Sequence, residues 1–264
     1  MKKKSIVILP LLLCILICLC GCGKETQETV FIKTPGDLRE AKIAVLQDSI
    51  SDIYLTYHFP NAQIFRYGNR DEALKALTDG AVDAFATDER PALKIEAETP
   101  TVKTLPDVLW EDDYVVAVKK GRTNLLDVIN QTLKNLYADG TIELAYNAYM
   151  LQDPLARAEL NAREYPVGDQ TLRLATNASY EPFEYLDNQG NPTGFGIEVA
   201  KGIARYIGWG LEIQHVGFDM LTDSLTQDKA DIVISSVTGS DERKPLLDFS
   251  VPYYSVTQLV LVRK

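Results

Sequence analysis

The sequence lacks most of the residue patterns on which enzymes depend. Only two histidines occur in its 264 residues, His58 and His215, and they lie far apart, outside any H-x-H or H-E-x-x-H pattern. No G-x-S-x-G, G-x-G-x-x-G or P-loop motif is present. A hydrolase triad, a zinc site of the usual spacing and a nucleotide cradle therefore have no support. We expect a protein that is not an enzyme and that uses neither a metal nor a cofactor.

Cysteine is confined to the beginning of the chain, at Cys14, Cys18, Cys20 and Cys22. Three lysines precede an apolar run from Ile6 to Leu19, which is typical of an export signal and of marginal length for a membrane span. The "LCGC" stretch that ends this run resembles the bacterial lipobox. We therefore expect a signal peptide at 1–21 and a lipid on Cys22; a plain signal peptide or an uncleaved anchor are the alternatives. After cleavage, no second cysteine would remain for a disulfide or a metal site.

Positive charge is scarce relative to negative charge, and the net charge is -10 at pH 7. An acidic surface argues against nucleic acid as a partner, and against a basic patch for anionic lipid. Lipid on Cys22 would instead hold the exported chain at the outer face of the bacterial cell membrane, through a polar tether at 22–34. The chain is long enough for one large domain or for two small lobes with separate cores.

Strand-like and helix-like segments alternate from residue 34 onwards. The predicted strands are 42–46, 62–67, 82–87, 114–118, 172–176, 211–216 and 231–235. The predicted helices are 51–57, 70–77 with Asn69 as its cap, 89–96, 124–138, 141–150, 154–162, 195–207 and 219–226. Alternation with short connections predicts an α/β fold with largely parallel sheets.

Two stretches of the chain can be aligned with each other. "ALTDGAVDAFATD" at 76–88 matches "SLTQDKADIVISS" at 224–236, so that Asp83 aligns with Asp231 and Thr87–Asp88 with Ser235–Ser236. In open α/β sheets, ligands bind beyond the carboxyl ends of strands. Two similar lobes would therefore present polar strand ends to a shared cleft. The alternative is that any two βαβ units look alike.

The segment "SSVTGSDERK" at 235–244 is the richest in groups that could hold a ligand. We expect "SDER" to be the first turn of a helix capped by Ser240, whose free N–H groups would attract an anion. Arg243 could clamp a carboxylate with two parallel hydrogen bonds. The alternative is an Arg243 that is solvated or paired with Asp241 or Glu242.

Other candidates follow strands or lie in loops. Asp88 ends a strand and could bind an ammonium group, although capping of the helix that begins at Glu89 is the simpler role. Aromatic residues near the strand–helix loops of the second half could wall a pocket or belong to the core: Tyr180, Phe183 and Phe218. Glu181 and Glu184 form a carboxylate pair in what the sequence suggests is an exposed loop.

These segments carry a resemblance to a known family. "LRLATNASYEPFEYLDNQGNPTGFGIEVAKGIA", "FDMLTDSLTQDKADIVISSVTGSDERK" and "LDFSVPYYSVTQLVLVRK" resemble the first lobe of the amino-acid-type (family 3) extracellular solute-binding proteins of ABC importers. "DLREAKIAVLQDS", "DEALKALTDGAVDAFATDE" and "YVVAVKKGRTNLLDVINQTLKNLYADGTIELAYNAYM" resemble the second lobe and closing helices. The resemblance implies a two-lobed, type II periplasmic-binding-protein fold, each lobe a mostly parallel sheet flanked by helices.

The order of the two halves is reversed relative to the family. The resemblance therefore implies a circular permutation, with one lobe at 35–113 and the other at 114–264. The second of these would include closing helices at 123–162 and a joining segment at 151–170. One crossing between lobes would remain, near Glu111–Tyr114. A pair of chains completed by swapping, or a decayed fragment, are the alternatives to a permuted monomer.

The resemblance also implies roles for ten residues. Arg243 would bind the α-carboxylate of an amino acid, and Asp88 its α-ammonium group. The others would contact the same head group, the side chain of the ligand or, from the second lobe, its carboxylate: Ser236, Thr238, Tyr180, Phe218, Asn177, Ser235, Ser49 and Ile50. The chain departs from the family in two places. Where the family has glycine and then Thr or Ser pairs, this chain has Asp48, Ser49, Ile50 and Ser51, and where the family has an acidic residue it has Gly196.

The function that the resemblance implies is capture of an amino acid, or of a related small amine or acid, and its delivery to an ABC permease. Binding would close the two lobes around the ligand. The alternatives are a sensor of the same fold without transport, an enzyme of related fold such as a dehydratase, and a structural lipoprotein with a degenerate cleft.

Overall fold

A computed structural model describes residues 31–164 and 168–264. The predicted signal peptide, the lipid attachment site at Cys22 and most of the tether lie outside the described residues, as do positions 165–167 of the joining segment. None of the helices in the described ranges is both long and apolar enough to cross a membrane.

The chain alternates strands and helices as predicted. The strands are β1 (Lys42–Leu46), β2 (Gln63–Tyr67), β3 (Ala84–Asp88), β4 (Val102–Thr104), β5 (Trp110–Lys119), β6 (Thr171–Thr176), β7 (Ser179–Tyr180), β8 (Glu184–Leu186), β9 (Pro192–Thr193), β10 (Gly210–His215), β11 (Ile232–Val233) and β12 (Leu247–Arg263). The helices are α1 (Ile50–His58), α2 (Arg70–Thr78), α3 (Glu89–Glu98), α4 (Thr123–Ala138), α5 (Thr141–Met150), α6 (Pro154–Asn161), α7 (Phe195–Ile207) and α8 (Leu221–Thr226). Two 3-10 helices lie at Pro35–Glu40 and Phe218–Met220.

A nine-stranded sheet runs through the molecule in the order β10-β6-β11-β5-β12-β3-β1-β2, and β4 pairs with β12 beside this path. Each half of the sheet contains three parallel strands, β2-β1-β3 on one side and β10-β6-β11 on the other. One antiparallel strand completes each half: β12 beside β3, and β5 beside β11. We call residues 31–109 and 256–264 the Asp88 lobe, and residues 114–254 the Arg243 lobe.

The aligned aspartates hold equivalent positions in the two lobes. In the Asp88 lobe, the backbone N–H of Asp83 donates to Lys42 O (2.7 Å), and the N–H of Lys42 donates to Asp83 Oδ2 (2.9 Å). In the Arg243 lobe, Asp231 and Arg173 exchange the same two bonds, at 2.8 and 3.1 Å. The alignment of the two stretches in the sequence therefore corresponds to a structural repeat.

Two strands connect the lobes in the described chain, where the sequence analysis predicted one near Glu111–Tyr114. β5 and β12 run antiparallel across the boundary, with Trp110 opposite Gln258 and Lys119 opposite Leu247. The last part of β12 then pairs with β3 and β4. The prediction that 114–264 forms one lobe is therefore wrong at its end, because this apolar stretch covers the edge of β3.

Each lobe has its own hydrophobic core. In the Asp88 lobe, Val260 and Val262 of β12 pack with Ile32, Leu38 and Leu55. In the Arg243 lobe, the predicted closing helices α4 and α5 pack against α7. The approach of α4 to α7 is close: a Cβ atom at Gly202 would lie 2.9 Å from Leu136 Cδ1. Glycine at this position permits that contact.

Candidate functional site

A cavity of about 650 Å³ lies between the two lobes. All ten residues to which the resemblance assigned a binding role line it: Arg243, Asp88, Thr238, Ser236, Tyr180, Phe218, Asn177, Ser235, Ser49 and Ile50. Asp88, Ser49 and Ile50 belong to one lobe and the other seven to the opposite one. The structure thus brings the ten residues together, and their binding roles stay predictions. Phe183, a further candidate for the wall, is a fully buried core residue instead.

Asp88 is one of the carboxylates that line this cavity. It occupies the N-cap position of α3, but its side chain makes no capping bond. The Tyr114 hydroxyl donates to Asp88 Oδ2 (2.6 Å), and Gln258 Nε2 donates to Oδ1. Burial raises the pKa of Asp88 to about 6, although these two hydrogen bonds and the charge of Arg70 oppose the shift. Capping therefore does not explain the position of this side chain.

Arg243 reaches across the cleft to the opposite lobe. Its Nη1 donates to Thr238 O (2.9 Å), and its Nη2 donates to Asp48 O (2.9 Å). Among the described residues it forms no ion pair with Asp241 or Glu242, and Asp241 pairs with Lys244 instead. Burial lowers the pKa of the Arg243 guanidinium, and Asp112 opposes this effect. The side chain is therefore held between protein carbonyl groups at the cavity wall rather than in solvent.

The predicted helix at "SDER" does not form. Residues 241–246 are a series of turns, in which the N–H groups of Arg243 and Lys244 both donate to Ser240 O. Ser240 Oγ is buried and has no hydrogen-bond partner among the described residues. The proposed anion site at a helix N-terminus is therefore absent from this segment. The cause is local: Pro245 follows at once, and the next residues already belong to β12.

Glu184 is buried beneath the cavity, contrary to the expectation of an exposed loop. Its Oε2 accepts a hydrogen bond from Ser236 Oγ (2.8 Å), while its Oε1 is buried without a partner in the described chain. Burial raises the pKa of Glu184 to about 8, against the hydrogen bonds from Ser236. A Cβ atom at Gly196 would collide with Glu184 Oε1. Glu184 thus fills the space that a larger residue at position 196 would need.

The polar atoms of Asn177 and Ser235 are used within the Arg243 lobe. The backbone N–H of Asn177 donates to Ser235 Oγ (2.9 Å), and its side-chain amide donates to Val216 O (2.8 Å). The next N–H, that of Ala178, donates to His215 Nδ1 (2.9 Å). Asn177 Oδ1 in turn accepts from the Ser179 hydroxyl. These bonds fix the loop after β6, and they leave the Ser235 hydroxyl proton as the group that could meet a ligand.

Ser49 and Ile50 begin α1 on the opposite side of the cleft. The Ser49 hydroxyl caps the helix by accepting from Asp52 N (3.3 Å). Asp48, just before it, has a left-handed backbone (φ 60°) and donates its N–H to the carboxylate of Asp52. The backbone carbonyl of Asp48, and not its side chain, accepts the hydrogen bond from Arg243.

The sequence analysis missed Arg70, which also lines the cavity. Its guanidinium carbon lies 4.3 Å from the centroid of the Tyr180 ring, and its Nη2 donates to Ser179 O (3.0 Å). Arg70 is the first residue of α2, directly after a strand that ends at the cleft. Its position just beyond the carboxyl end of β2 was the available signal, because ligands bind at that end of parallel strands.

Further contacts join the lobes around the cavity. Lys94 Nζ lies 2.8 Å from Glu181 Oε2, and Arg90 Nη2 donates to the Tyr146 hydroxyl (2.7 Å). Together with the contacts of Arg243 and Arg70, these bonds hold the lobes in a closed arrangement. Within the described ranges, no group of three or more histidine, cysteine or acidic side chains could hold a metal ion.

Comparison with known proteins identifies part of this chain. Residues 172–264 match the family model of the bacterial extracellular solute-binding proteins, family 3. A probable histidine-binding protein of Neisseria gonorrhoeae is 44% identical over 95 residues, which are 36% of this chain and 35% of that protein. An arginine-binding extracellular protein of Bacillus subtilis is 36% identical over 97 residues, 37% of this chain and 38% of that protein. Over residues 172–264, the chain is similar to family 3 of the bacterial extracellular solute-binding proteins.

The family 3 match covers only one side of the cavity. Seven of the ten predicted residues lie within it, whereas Asp88, Ser49 and Ile50 lie outside. The chain spans little more than a third of the length of the two curated relatives. Among solved structures, the arginine-binding protein of T. maritima is 42% identical, with a TM-score of 0.31, over 32% of this chain and 37% of that one.

Proposed function

We propose that this protein is a family 3 solute-binding protein, which captures an amino acid in the cavity between its lobes and delivers it to the permease of an ABC importer. The observation that carries the proposal is the placement of all ten predicted residues around one cavity, with Arg243 and Asp88 contributed by opposite lobes. A cation on one lobe and an anion on the other match the two charges of an α-amino acid. The names of the histidine- and arginine-binding relatives support the same class of ligand.

The electrostatics of Asp88 favour an ammonium ligand. Burial makes the ionised carboxylate costly, which is why its pKa is raised to about 6. At neutral pH the group is nevertheless mostly ionised, and it lies in a cavity rather than in solvent. An ammonium group placed beside the ionised carboxylate would offset part of this cost. The offset would contribute to the free energy of ligand binding.

The two crossing strands supply the hinge in this proposal. β5 and β12 have register shifts between Phe249 and Tyr254, where the ladder is irregular. A ligand stabilises the closed arrangement only through contacts that exist when both lobes meet, and Asp88 and Arg243 together provide such contacts. The closed form would then dock on the permease.

We also propose a membrane anchor, an oligomeric state and a permuted chain order for this protein. A lipid on Cys22 would hold the protein, as a monomer, at the outer face of the cell membrane. The halves would stand in circularly permuted order relative to the family. This is supported by a family match that begins only at residue 172, after the three parallel strands of the Asp88 lobe, whose arrangement is repeated in the Arg243 lobe.

Binding measurements with the full-length chain in mild detergent test the proposal. Thermal shift and calorimetry against the standard L-amino acids should detect at least one ligand, because a ligand that binds the folded state raises the melting temperature. Arg243→Ala and Asp88→Asn should each weaken that binding by more than about tenfold, since each leaves one ligand charge unpaired. Lys244→Ala and Asp241→Asn alter exposed charges outside the cavity and should bind as the wild type does. No shift with any amino acid would contradict the proposal.

A further inference from the structure

The aromatic face inside the cleft is covered by the protein's own cation. Tyr180 stacks on Phe183 with its ring centroid 5.7 Å away, and the guanidinium of Arg70 lies over the Tyr180 ring at 4.3 Å. Such a face attracts a cationic or planar group. Because Arg70 comes from the opposite lobe, it occupies in the closed arrangement the place where a cationic ligand side chain would lie on this ring.

The positive charge of Arg70 is only partly neutralised by the surrounding protein. Within residues 31–164 and 168–264 it forms no ion pair, and its Nη2 donates to a neutral carbonyl, that of Ser179. Burial lowers the pKa of the guanidinium, while the charge of Asp88 is the largest opposing influence. An arginine presents five N–H donors in a planar fork that matches a carboxylate. The guanidinium therefore has donors and charge to offer to a bound molecule.

The acidic residues around the cavity do not cancel this cation. Glu181 lies 2.8 Å and Glu98 4.0 Å from Lys94, and all three side chains are exposed to solvent by about half or more. Asp71 is exposed in the first turn of α2, where a carboxylate stabilises the helix N-terminus. Asp88 is the half-buried acid of the cavity lining, and the proposed function assigns it to the α-ammonium group. Arg70 is thus the charge left for the ligand side chain.

We propose that the ligand is an amino acid whose side chain ends in a carboxylate, and that Arg70 binds this carboxylate. The inference rests on the proposed function, because Arg243 and Asp88 hold the α-carboxylate and α-ammonium groups. A carboxylate on Arg70 gains charge-assisted hydrogen bonds, and its two oxygen atoms match the planar fork of the guanidinium. A cationic side chain would have to displace Arg70 from Tyr180, and it would face a like charge.

Calorimetry on the full-length chain in detergent, with four probes, tests this selectivity. L-Glutamate and L-aspartate are compared with L-arginine and L-histidine, and we expect the better acidic amino acid to bind at least about tenfold more tightly than either cationic one. Arg70→Ala should remove this preference. Arg70→Glu should reverse it, so that L-arginine binding is gained. Lys75→Ala, which removes an exposed cation from the same helix, should leave all four affinities unchanged.

The possible outcomes separate this inference from the proposed function. Tighter binding of L-arginine or L-histidine by the wild type would overturn the role of Arg70 and leave the proposed function intact. Unchanged selectivity in Arg70→Glu would also overturn it, provided that the variant melts as the wild type does. Absence of binding to every amino acid would contradict the proposed function, and the inference would fall with it.

Discussion

The buried carboxyl group of Glu184 makes the stability of the protein depend on pH. Its pKa is raised to about 8 from an ordinary value of 4.5, so the folded state favours the protonated form. The contribution of protonated Glu184 to the free energy of unfolding is therefore fully present below about pH 4.5, and it is lost as the pH rises through 8. The variant Glu184→Gln keeps the shape of the side chain but has no group that ionises.

We expect the melting temperature of the wild type to fall between pH 6 and 9 by more than that of Glu184→Gln. Thermal unfolding followed by circular dichroism across this range measures the difference. Glu40→Gln, which changes an exposed glutamate, is the matched control and should follow the wild type. Parallel curves for the wild type and Glu184→Gln would show that Glu184 is already ionised at pH 6.

Some site residues could be predicted from the sequence, whereas their hydrogen-bond partners could not. The chain could identify Asp88 and Arg243, because strand ends and a family motif place them. It could not identify the partners that they acquire, since Asp88 meets Gln258 from a segment 170 positions away. The sequence predicted an exposed Glu184, because its loop is polar. In the structure its side chain is buried close to Gly196.

At the scale of elements, the helices were easier to predict than the strands. α5 and α7 begin and end where their apolar spacing predicts, and Asn69 caps α2 by accepting from Glu72 N (3.0 Å). The short strands β7, β8 and β9 went unrecognised, because two or three residues carry no period. The double role of β12 was missed as well, since continuous apolar runs do not reveal which edge they cover.

The position of β12 predicts the effect of shortening the chain. Ending the protein after Val256 removes the part of β12 that pairs with β3 and β4 and that supplies Val260 and Val262 to the core of the Asp88 lobe. We expect this lobe to unfold while the Arg243 lobe stays folded. Limited proteolysis with mass spectrometry should then yield a protected fragment of about 114–254.

A matched truncation provides the control. Removing Lys264 alone takes away one backbone bond, from its N–H to Thr101 O (2.9 Å), and should leave both lobes resistant to protease. Protection of residues 35–104 in the chain that ends at Val256 would contradict the role given to β12.

At the scale of the whole molecule, protein contacts contribute to closure in advance of any ligand. Arg90 and Lys94, both on α3, reach Tyr146 and Glu181 of the other lobe, and Arg90 does not line the cavity. Exposed ion pairs such as Lys94–Glu181 are worth about 0–1 kcal/mol each. Removing both contacts should therefore shift the balance between open and closed forms without unfolding either lobe.

We expect the double variant Arg90→Ala/Lys94→Ala to have a larger radius of gyration than the wild type in small-angle X-ray scattering, in buffer without amino acids. Binding of any ligand should weaken in parallel, because the ligand must then supply more of the closure energy. Lys75→Ala removes an ion pair with Asp79 inside one lobe and should change neither value. Equal radii for the double variant and the wild type would mean that these two side chains do not govern closure.

The pairing of Tyr114 with Tyr254 places the two ends of the Arg243 lobe side by side. The described residues between them belong to that lobe, so along the chain it is a single insertion within the Asp88 lobe. A segment whose ends meet can be spliced out, or grafted into a loop of another protein, without stretching either backbone. The Arg243 lobe can therefore be exchanged as one continuous cassette of sequence, while the strand that completes the Asp88 lobe stays in place.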